Sequence, residues 1–168
     1  MKKVLKLTLA VVCVMFSTSL FAQKIGRISS QEVVVNMAEY KEAQTQLEAL
    51  AKDLQAQMET IQVEMNTKLQ EYHKGAETMT DAVRQLKEKE LNDLNTRLQE
   101  FNQVAQQELQ KKEQELMEPI IKKANEAITE VSKAGGYTVI FETGSMIYFD
   151  EAQVKDITPE VKAKLGAN

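Results

Sequence analysis

Apolar side chains recur at alternating steps of three and four residues through the middle of the chain, which is the spacing of a coiled-coil seam. Before residue 75 this seam comprises Leu47, Ala51, Leu54, Met58, Ile61 and Met65. After residue 77 it comprises Leu91, Leu94, Leu98, Phe101 and Ala105. Polar and charged side chains fill most of the positions between them. The pattern predicts two long helical arms, each with one narrow apolar stripe.

The two stripes mirror each other about Ala76, which follows Gly75 at the centre of the stretch. If the arms pair antiparallel about this point, residues whose numbers add to 152 face one another. The facing pairs are then Ile61 with Leu91, Met58 with Leu94, Leu54 with Leu98, Ala51 with Phe101, Leu47 with Ala105, and Leu69 with Val83. A solitary long helix and an intermolecular coiled coil are the alternatives, but neither accounts for the mirrored pattern. The sequence therefore predicts an antiparallel helical hairpin over residues 39–118.

Shorter elements flank the predicted hairpin on both sides. Residues 24–28 form a candidate strand, and Ser29-Ser30 offer N-caps for a first helix. Pro119 interrupts the helical pattern that follows the second arm, because proline removes a backbone donor and clashes with the preceding turn. We expect a kink or a break at that point, and we expect Gly135-Gly136 to end the helix.

Two runs rich in aromatic and β-branched residues, 137–143 and 146–150, are separated by Gly144-Ser145. This is the signal of a β-hairpin with a two-residue turn. The opposed pairs would be Phe141 with Tyr148 and Ile140 with Phe149. A last helix is predicted from a Thr158 cap to about Leu165, and the final three residues are expected to form a loose end.

These elements predict an α+β fold, mainly α, with a long antiparallel coiled-coil hairpin on a small β body. The body comprises residues 23–38 and 119–168, and the hairpin comprises residues 39–118. So few short strands cannot cover their own edges or two apolar faces, so we expect copies of the body to associate. The residues expected at this association surface are Ile28, Val33, Val139, Phe141, Ile147 and Phe149.

The first 22 residues differ from the rest of the chain. Lys2, Lys3 and Lys6 precede a short apolar run, and Ala22 is a small residue directly before Gln23. This is the pattern of a secretory signal peptide that is cleaved after Ala22. The alternative is a membrane anchor, but the apolar run is shorter than the roughly 18 to 20 residues that span a bilayer.

Removal of that segment takes away three of the 21 basic side chains and none of the 25 acidic ones, so the formal net charge falls from −4 to −7. It also removes Cys13, the single cysteine, so the sequence predicts neither a disulfide nor a thiol site. The acidity argues against a nucleic acid partner and against adsorption to an anionic membrane surface.

The sequence contains no catalytic constellation. His73 is the single histidine, and its place at the polar end of the hairpin favours a solvated residue over a metal ligand or a general base. No nucleotide-binding loop, dinucleotide glycine pattern, nucleophile elbow or calcium loop is found. We therefore predict no enzyme activity, no cofactor and no metal site. Methionines in the distal half of the hairpin fit either the seam or an adaptable binding surface.

The order of elements, together with the segment Val154-Lys-Asp-Ile-Thr-Pro-Glu-Val161, resembles the Skp/OmpH family of periplasmic chaperones. The resemblance covers essentially the whole chain after residue 22. It implies a homotrimer whose chains jointly build a β-rich body, with helical arms that enclose a cavity. It also implies an ATP-independent holdase that keeps unfolded outer-membrane proteins soluble and delivers them for membrane insertion. The candidate client-binding residues are Met58, Met65, Leu69, Tyr72, Met79 and Val83.

The charge of this chain departs from that family picture, in which basic arm ends attract acidic clients and anionic lipid. Basic and acidic side chains are balanced around the expected hairpin tip. This balance argues against electrostatic capture of clients and against lipopolysaccharide binding, while transient apolar contacts remain compatible with the sequence. The alternative function is a non-chaperone periplasmic scaffolding trimer in which the hairpin serves as a spacer.

Overall fold

A computed structural model describes residues 23–167 of the protein. The predicted signal peptide, residues 1–22, lies outside the described residues. The helices are α1 (Ser30–Asn36), α2 (Ala38–Gly75), α3 (Asp81–Ala134) and α4 (Thr158–Leu165), and the strands are β1 (Ile25–Ile28), β2 (Val139–Glu142) and β3 (Val154–Asp156). These elements confirm the predicted α+β, mainly α fold class.

The described chain divides into two compact units. The sheet unit comprises residues 23–33 and 124–167, and the hairpin unit comprises residues 34–123. Each unit contains buried apolar side chains of its own. In the hairpin unit these include Met37, Ala43, Leu54, Ile61, Leu94 and Ile120, and in the sheet unit they include Ile28, Val33, Phe141, Ile157 and Val161.

The hairpin unit has the narrow seam that the three-and-four spacing predicts. Leu54, Ile61 and Leu94 are buried. Seven further seam residues are half-buried: Leu47, Met58, Met65, Leu91, Leu98, Phe101 and Ala105. Ala51 is exposed, and Leu50 is half-buried next to it, so the prediction that Ala51 lies in the seam was wrong. Most other side chains of the two arms are exposed, so the arms are held together along a single line.

The register of the two arms differs from the predicted one by about one heptad. Three contacts across the arms set it: Lys68 with Glu90 at 3.8 Å, Glu64 with Arg97 at 3.6 Å, and Tyr72 with Glu88 at 2.6 Å. The residue numbers of these pairs add to 158, 161 and 160, and a sum of 159 also matches the half-buried positions of both arms. The seam pairs are therefore Met65 with Leu94, Ile61 with Leu98, Met58 with Phe101, and Leu54 with Ala105.

The turn explains why the predicted sum of 152 was wrong. Helix α2 ends at Gly75, whose carbonyl accepts hydrogen bonds from the N–H groups of Thr78 and Met79 at 3.0 and 3.1 Å. The Thr80 hydroxyl accepts a hydrogen bond from the N–H of Val83 at 3.4 Å and so caps the start of α3. Because the turn extends beyond residue 77, the midpoint of the pairing lies near residue 80 rather than at Ala76.

Two further helix boundaries differ from those expected. Helix α3 continues through Pro119 to Ala134, so the break considered at this proline was wrong. The first helical segment is instead divided at Met37, where φ is −68° and ψ is 140°, in the extended region. Met37 is buried, and the change of backbone direction there separates α1 from α2.

The sheet unit contains a three-stranded parallel sheet in the order β2-β1-β3. Strand β1 is central, with Arg27 aligned with Phe141 of β2 and with Asp156 of β3. The predicted β-hairpin was wrong, because β2 pairs with β1 and residues 146–150 form no strand. The chain does turn at Gly144, but the Phe149 ring then packs edge-on against Phe141, with ring centroids 5.2 Å apart.

Helix α3 ends as the glycine pair predicts. Gly136 has φ 68°, in the left-handed region that a residue with a side chain seldom adopts. Its N–H donates to the Lys133 carbonyl at 3.1 Å, and the N–H of Tyr137 donates to the Ser132 carbonyl at 3.0 Å. These are the two hydrogen bonds of a Schellman motif, and they satisfy the last carbonyls of the helix.

The end of the chain differs from the predicted structure in two details. Thr158 does not cap α4, because Ile157 occupies the cap position and the buried Thr158 hydroxyl accepts a hydrogen bond from the N–H of Ser29 at 3.0 Å. The segment after Leu165 is not loose as far as residue 167, since Ala167 is buried and its N–H donates to the Lys162 carbonyl at 2.9 Å. Asn168 lies outside the described residues.

The Thr158 hydroxyl gives a test of the sheet unit. Thr158→Val keeps the shape of the side chain but leaves the N–H of Ser29 without its acceptor, which should lower the free energy of unfolding by about 1 to 3 kcal/mol. Denaturant unfolding followed by circular dichroism measures this change. Thr158→Ser is the control, because it keeps the hydroxyl, and a Ser variant less stable than the Val variant would contradict the assignment.

Candidate functional site

The distal end of the hairpin unit brings together most of the candidate client-binding residues. Met79 lies against Gly75, where an added Cβ would come within 2.6 Å of the methionine Cε atom. The Arg84 side chain donates a hydrogen bond to the Ala76 carbonyl at 3.1 Å. These contacts give the tip a defined turn in which Met79 is half-buried.

The structure sorts the six candidates by exposure. Met58 and Met65 are half-buried in the seam, and Tyr72 is half-buried with its hydroxyl on Glu88. Leu69 and Val83 are 40% and 43% exposed, although both are aliphatic. Leu69 and Val83 are therefore the candidates with the most apolar surface open to a partner.

The hairpin has further exposed aliphatic side chains that are not among the six residues predicted from the sequence. Val63, Leu86 and Val104 are 64%, 57% and 55% exposed. Leu86 lies three residues after Val83, so the two share one face at the start of α3. The signal that could have found these residues is an aliphatic residue that falls outside the seam spacing.

A cluster of polar side chains holds the distal seam, and we call it the distal clasp: Lys68, Glu71, Tyr72, Lys87, Glu88 and Glu90. Lys87 lies 3.2 Å from Glu90 and 4.0 Å from Glu71, and Lys68 lies 3.8 Å from Glu90. The Tyr72 hydroxyl donates to Glu88. This hydrogen bond, together with desolvation and the negative charge of Glu88, raises the pKa of Tyr72 above its ordinary value.

A groove of about 390 Å³ lies between the two arms at the other end of the hairpin unit. Its apolar lining comprises Ala43, Leu116, Pro119 and Ile120, and its polar lining comprises Glu39, Glu42, Gln46, Glu115 and Lys123. Most of its charges have partners within the arms. Lys123 pairs with Glu39, which lowers the pKa of that carboxyl, and Glu115 lies 3.8 Å from Lys111.

The six residues predicted at the association surface do not share one environment. Ile28, Val33 and Phe141 are buried within the sheet unit, and Phe149 is half-buried against Phe141. Val139 and Ile147 are exposed, and Ile147 is fully so. The neighbours of Ile147, Met146 and Tyr148, are exposed too, so an apolar segment that the sequence analysis placed in a strand is open to solvent.

The described residues show no group of three or more His, Cys, Asp or Glu side chains that could hold a metal ion. His73 lies beside Tyr72 at the tip, with ring centroids 5.9 Å apart, and its side chain is exposed. Within residues 23–167 no helix has both the length and the apolar character to cross a membrane.

The whole of the two-unit fold falls within one family match. The family model described as outer membrane protein (OmpH-like) matches residues 24–165. The chain belongs to the OmpH-like family. The resemblance noted from the sequence is thereby confirmed, and it includes both the hairpin unit and the sheet unit.

Two curated relatives are chaperones. The chain is 26% identical over 148 residues to the chaperone protein Skp of Yersinia enterocolitica, covering 86% of this chain and 87% of the relative. It is also 26% identical over 128 residues to the chaperone protein Skp of Vibrio cholerae serotype O1, covering 76% and 75%. These relatives support a chaperone role for the OmpH-like chain.

A solved structure shares the fold. The crystal structure of an outer membrane chaperone (OmpH-like) from Caulobacter crescentus CB15 superposes with a TM-score of 0.74. The match covers 84% of this chain and 83% of the other, at 18% sequence identity. The helical arms and the small sheet therefore recur where most side chains differ.

The Tyr72–Glu88 contact predicts a titration. Because the folded-state pKa of Tyr72 is raised, the contact stabilises the hairpin fully below pH 10, the ordinary tyrosine value, and is lost as the pH rises through the folded pKa. Ultraviolet difference spectra of wild type and Tyr72→Phe should show Tyr72 ionising above pH 10. Glu88→Gln should move that midpoint downward, and an unchanged midpoint would contradict the contact.

Proposed function

We propose that this OmpH-like chain is an ATP-independent periplasmic holdase that binds unfolded outer-membrane proteins and delivers them for membrane insertion. The observation that carries the proposal is the exposure of Leu69, Val83 and Leu86 on the distal part of a long polar hairpin, in a family whose curated relatives are chaperones. The predicted signal peptide supports export to the periplasm.

Several isolated apolar side chains suit a holdase better than one deep pocket would. Each exposed aliphatic side chain can bury only a modest area against a client, and at roughly 25 cal/mol per Å² each contact is weak. When weak contacts lie on linked arms, a client that is held at one contact meets the others at high effective concentration, so the total affinity rises. Because each contact alone is weak, the client can be released without ATP. The formal net charge is −7 after loss of residues 1–22. Apolar contact, rather than charge attraction, therefore contributes most of the free energy of client binding in this proposal.

We also propose that the working form is a homotrimer assembled through the sheet unit. Strands β2 and β3 are the outer strands of a parallel sheet, a type usually covered on both faces and rarely left with open edges. The exposed apolar segment of Met146, Ile147 and Tyr148 follows β2 closely in the chain. Burial of this segment and of a strand edge against another copy would remove both features from water.

Ile147 gives a clean test of assembly. Ile147→Asp should leave the subunit folded, because the side chain is fully exposed in the single chain, yet it should place an unpaired charge in the trimer interface and dissociate the trimer. Sedimentation velocity at micromolar concentration measures the change. Val63→Asp makes the same kind of apolar-to-acidic change on the hairpin and should leave the mass of the assembly unchanged. A wild-type chain that sediments as a stable monomer would contradict the trimer.

Leu69 and Val83 give a test of client binding. An unfolded outer-membrane protein diluted from denaturant should scatter less light in the presence of the wild-type chain. Leu69→Ser with Val83→Ser should weaken this protection severalfold, since both changes remove exposed apolar contact area. Gln70→Ser with Gln85→Ser is the matched control on the same two arms, because both side chains are exposed and polar, and it should leave the protection unchanged. A wild-type chain that gives no protection would favour the scaffolding alternative.

A further inference from the structure

The apolar seam of the hairpin fits two registers that differ by one heptad. In the observed register Ile61 faces Leu98 and Met58 faces Phe101, whereas a slide of α3 by one heptad places Leu91 and Leu94 opposite them. The slide is about 10 Å at 1.5 Å per residue. Heptad spacing repeats itself, so apolar side chains meet apolar side chains at most seam positions in both arrangements.

The second register exchanges distal apolar pairs without a clear gain or loss. It places Leu91, which lies opposite Lys68 in the observed register, opposite Ile61, whereas Met65 would exchange Leu94 for Lys87. The observed register instead puts the polar distal clasp at the end of the seam, with Lys68 opposite Leu91. Apolar burial alone therefore does not explain the observed choice.

Charge does explain it. In the observed register Lys68 meets Glu90 and Glu64 meets Arg97, so opposite charges are paired across the arms. In the second register Lys68 would lie opposite Arg84 in the seam, and Glu64 would lie beside Glu90 on one flank of it. Lys87 would still find an acidic neighbour in Glu64. Like charges at facing positions disfavour the arrangement that places them together.

The turn can serve either arrangement. Thr80 now caps α3, and Thr78 now donates its hydroxyl to the Gly75 carbonyl at 3.1 Å. In the second register a turn centred on Ala76 would use Gly75 for the reversal, and Thr78 is placed to cap the helix that follows. The backbone chemistry of the tip is therefore compatible with both registers, and the decision rests on the side chains of the arms.

We propose that the charges of the arms lock the hairpin in the observed register and thereby fix the spacing between the exposed Leu69 of α2 and the exposed Val83 of α3, which clients would contact. The lock acts by pairing Lys68 with Glu90 and Glu64 with Arg97 across the arms, and by placing like charges together in the second register. In that second register Val83 would be displaced by about 10 Å along α2. The consequence for clients rests on the proposed function, whereas the choice of register does not.

Disulfide pairs can report the register directly. In a Cys13→Ser background, which removes the single cysteine of the chain, Met58→Cys is combined with Phe101→Cys to report the observed register. Met58→Cys combined with Leu94→Cys reports the second register. With wild-type charges, mild oxidation should link residues 58 and 101 and leave residues 58 and 94 unlinked.

The charge exchange Glu64→Lys with Lys68→Glu tests the lock without changing net charge. It makes like pairs in the observed register and opposite pairs in the second, so the ratio of 58–94 to 58–101 linkage should rise by roughly tenfold or more. Lys89→Glu with Asp93→Lys is the matched control, because both side chains are exposed, and it should leave the ratio unchanged. Equal ratios in the two exchanges would overturn the lock.

A second variant guards against misfolding of the first. Arg84→Glu with Glu88→Lys keeps the Lys68–Glu90 and Glu64–Arg97 pairs but turns the Lys68–Arg84 contact of the second register into an opposite-charge pair. It also removes the Tyr72–Glu88 hydrogen bond and the Arg84 contact to Ala76, both of which belong to the observed register. It should raise 58–94 linkage to an intermediate level while the helical circular dichroism signal stays that of wild type. No rise in linkage in this folded variant would also overturn the lock.

The oxidised proteins separate the register from its consequence for clients. Protein linked at 58–94 should suppress client aggregation less than protein linked at 58–101. Equal suppression by the two would overturn the claim that register controls client contact. If neither linked form nor the unlinked chain suppressed aggregation, the proposed holdase function would be contradicted. The linkage ratios would still test the lock on the register.

Discussion

The narrowness of the apolar seam is the constraint on which the hairpin depends. Along arms of several tens of residues, only a single line of side chains is withdrawn from water, and the side chains around it are exposed. A thick core would define its own packing through shape, but a thin repetitive seam does not distinguish one heptad from the next. Polar and charged side chains therefore determine the register of the two arms, which packing would determine in an ordinary globular domain.

The sheet unit depends on a different constraint. Its central strand β1 comes from the start of the described chain, and both of its neighbours come from the other end, with Ile25 aligned with Val139 and with Val154. Further contacts join the same distant segments, since Thr158 binds the N–H of Ser29 and Lys162 pairs with Glu32 at 3.1 Å. The sheet unit is thus held together by contacts between residues far apart in sequence.

The sequence predicted local elements well and their partners less well. The heptad spacing identified the two arms, and Gly135-Gly136 identified the end of α3, because these signals lie within one element. The register failed because a turn a few residues longer shifts every facing pair while leaving the spacing unchanged. The β-hairpin failed because Gly144 signals a local reversal, whereas the partner of β2 lies more than a hundred residues away. Among the site candidates, Leu69 lies four residues after Met65 and so fits the seam spacing, yet the seam continues through Lys68 and leaves Leu69 40% exposed. Spacing alone could not separate it from seam residues such as Met58.

The central position of β1 has a consequence for how the chain folds. Closing a loop of more than a hundred flexible residues carries an entropy cost that must be met before any strand pair can form. An antiparallel helical hairpin grows outward from its turn, adding neighbouring residues at each step, and so shortens the free chain that separates β1 from β2. Pairing of the two arms would then bring the segments that form β1 and β2 close together before the sheet forms. In this order of events the long arms serve the folding of the sheet before they serve any partner.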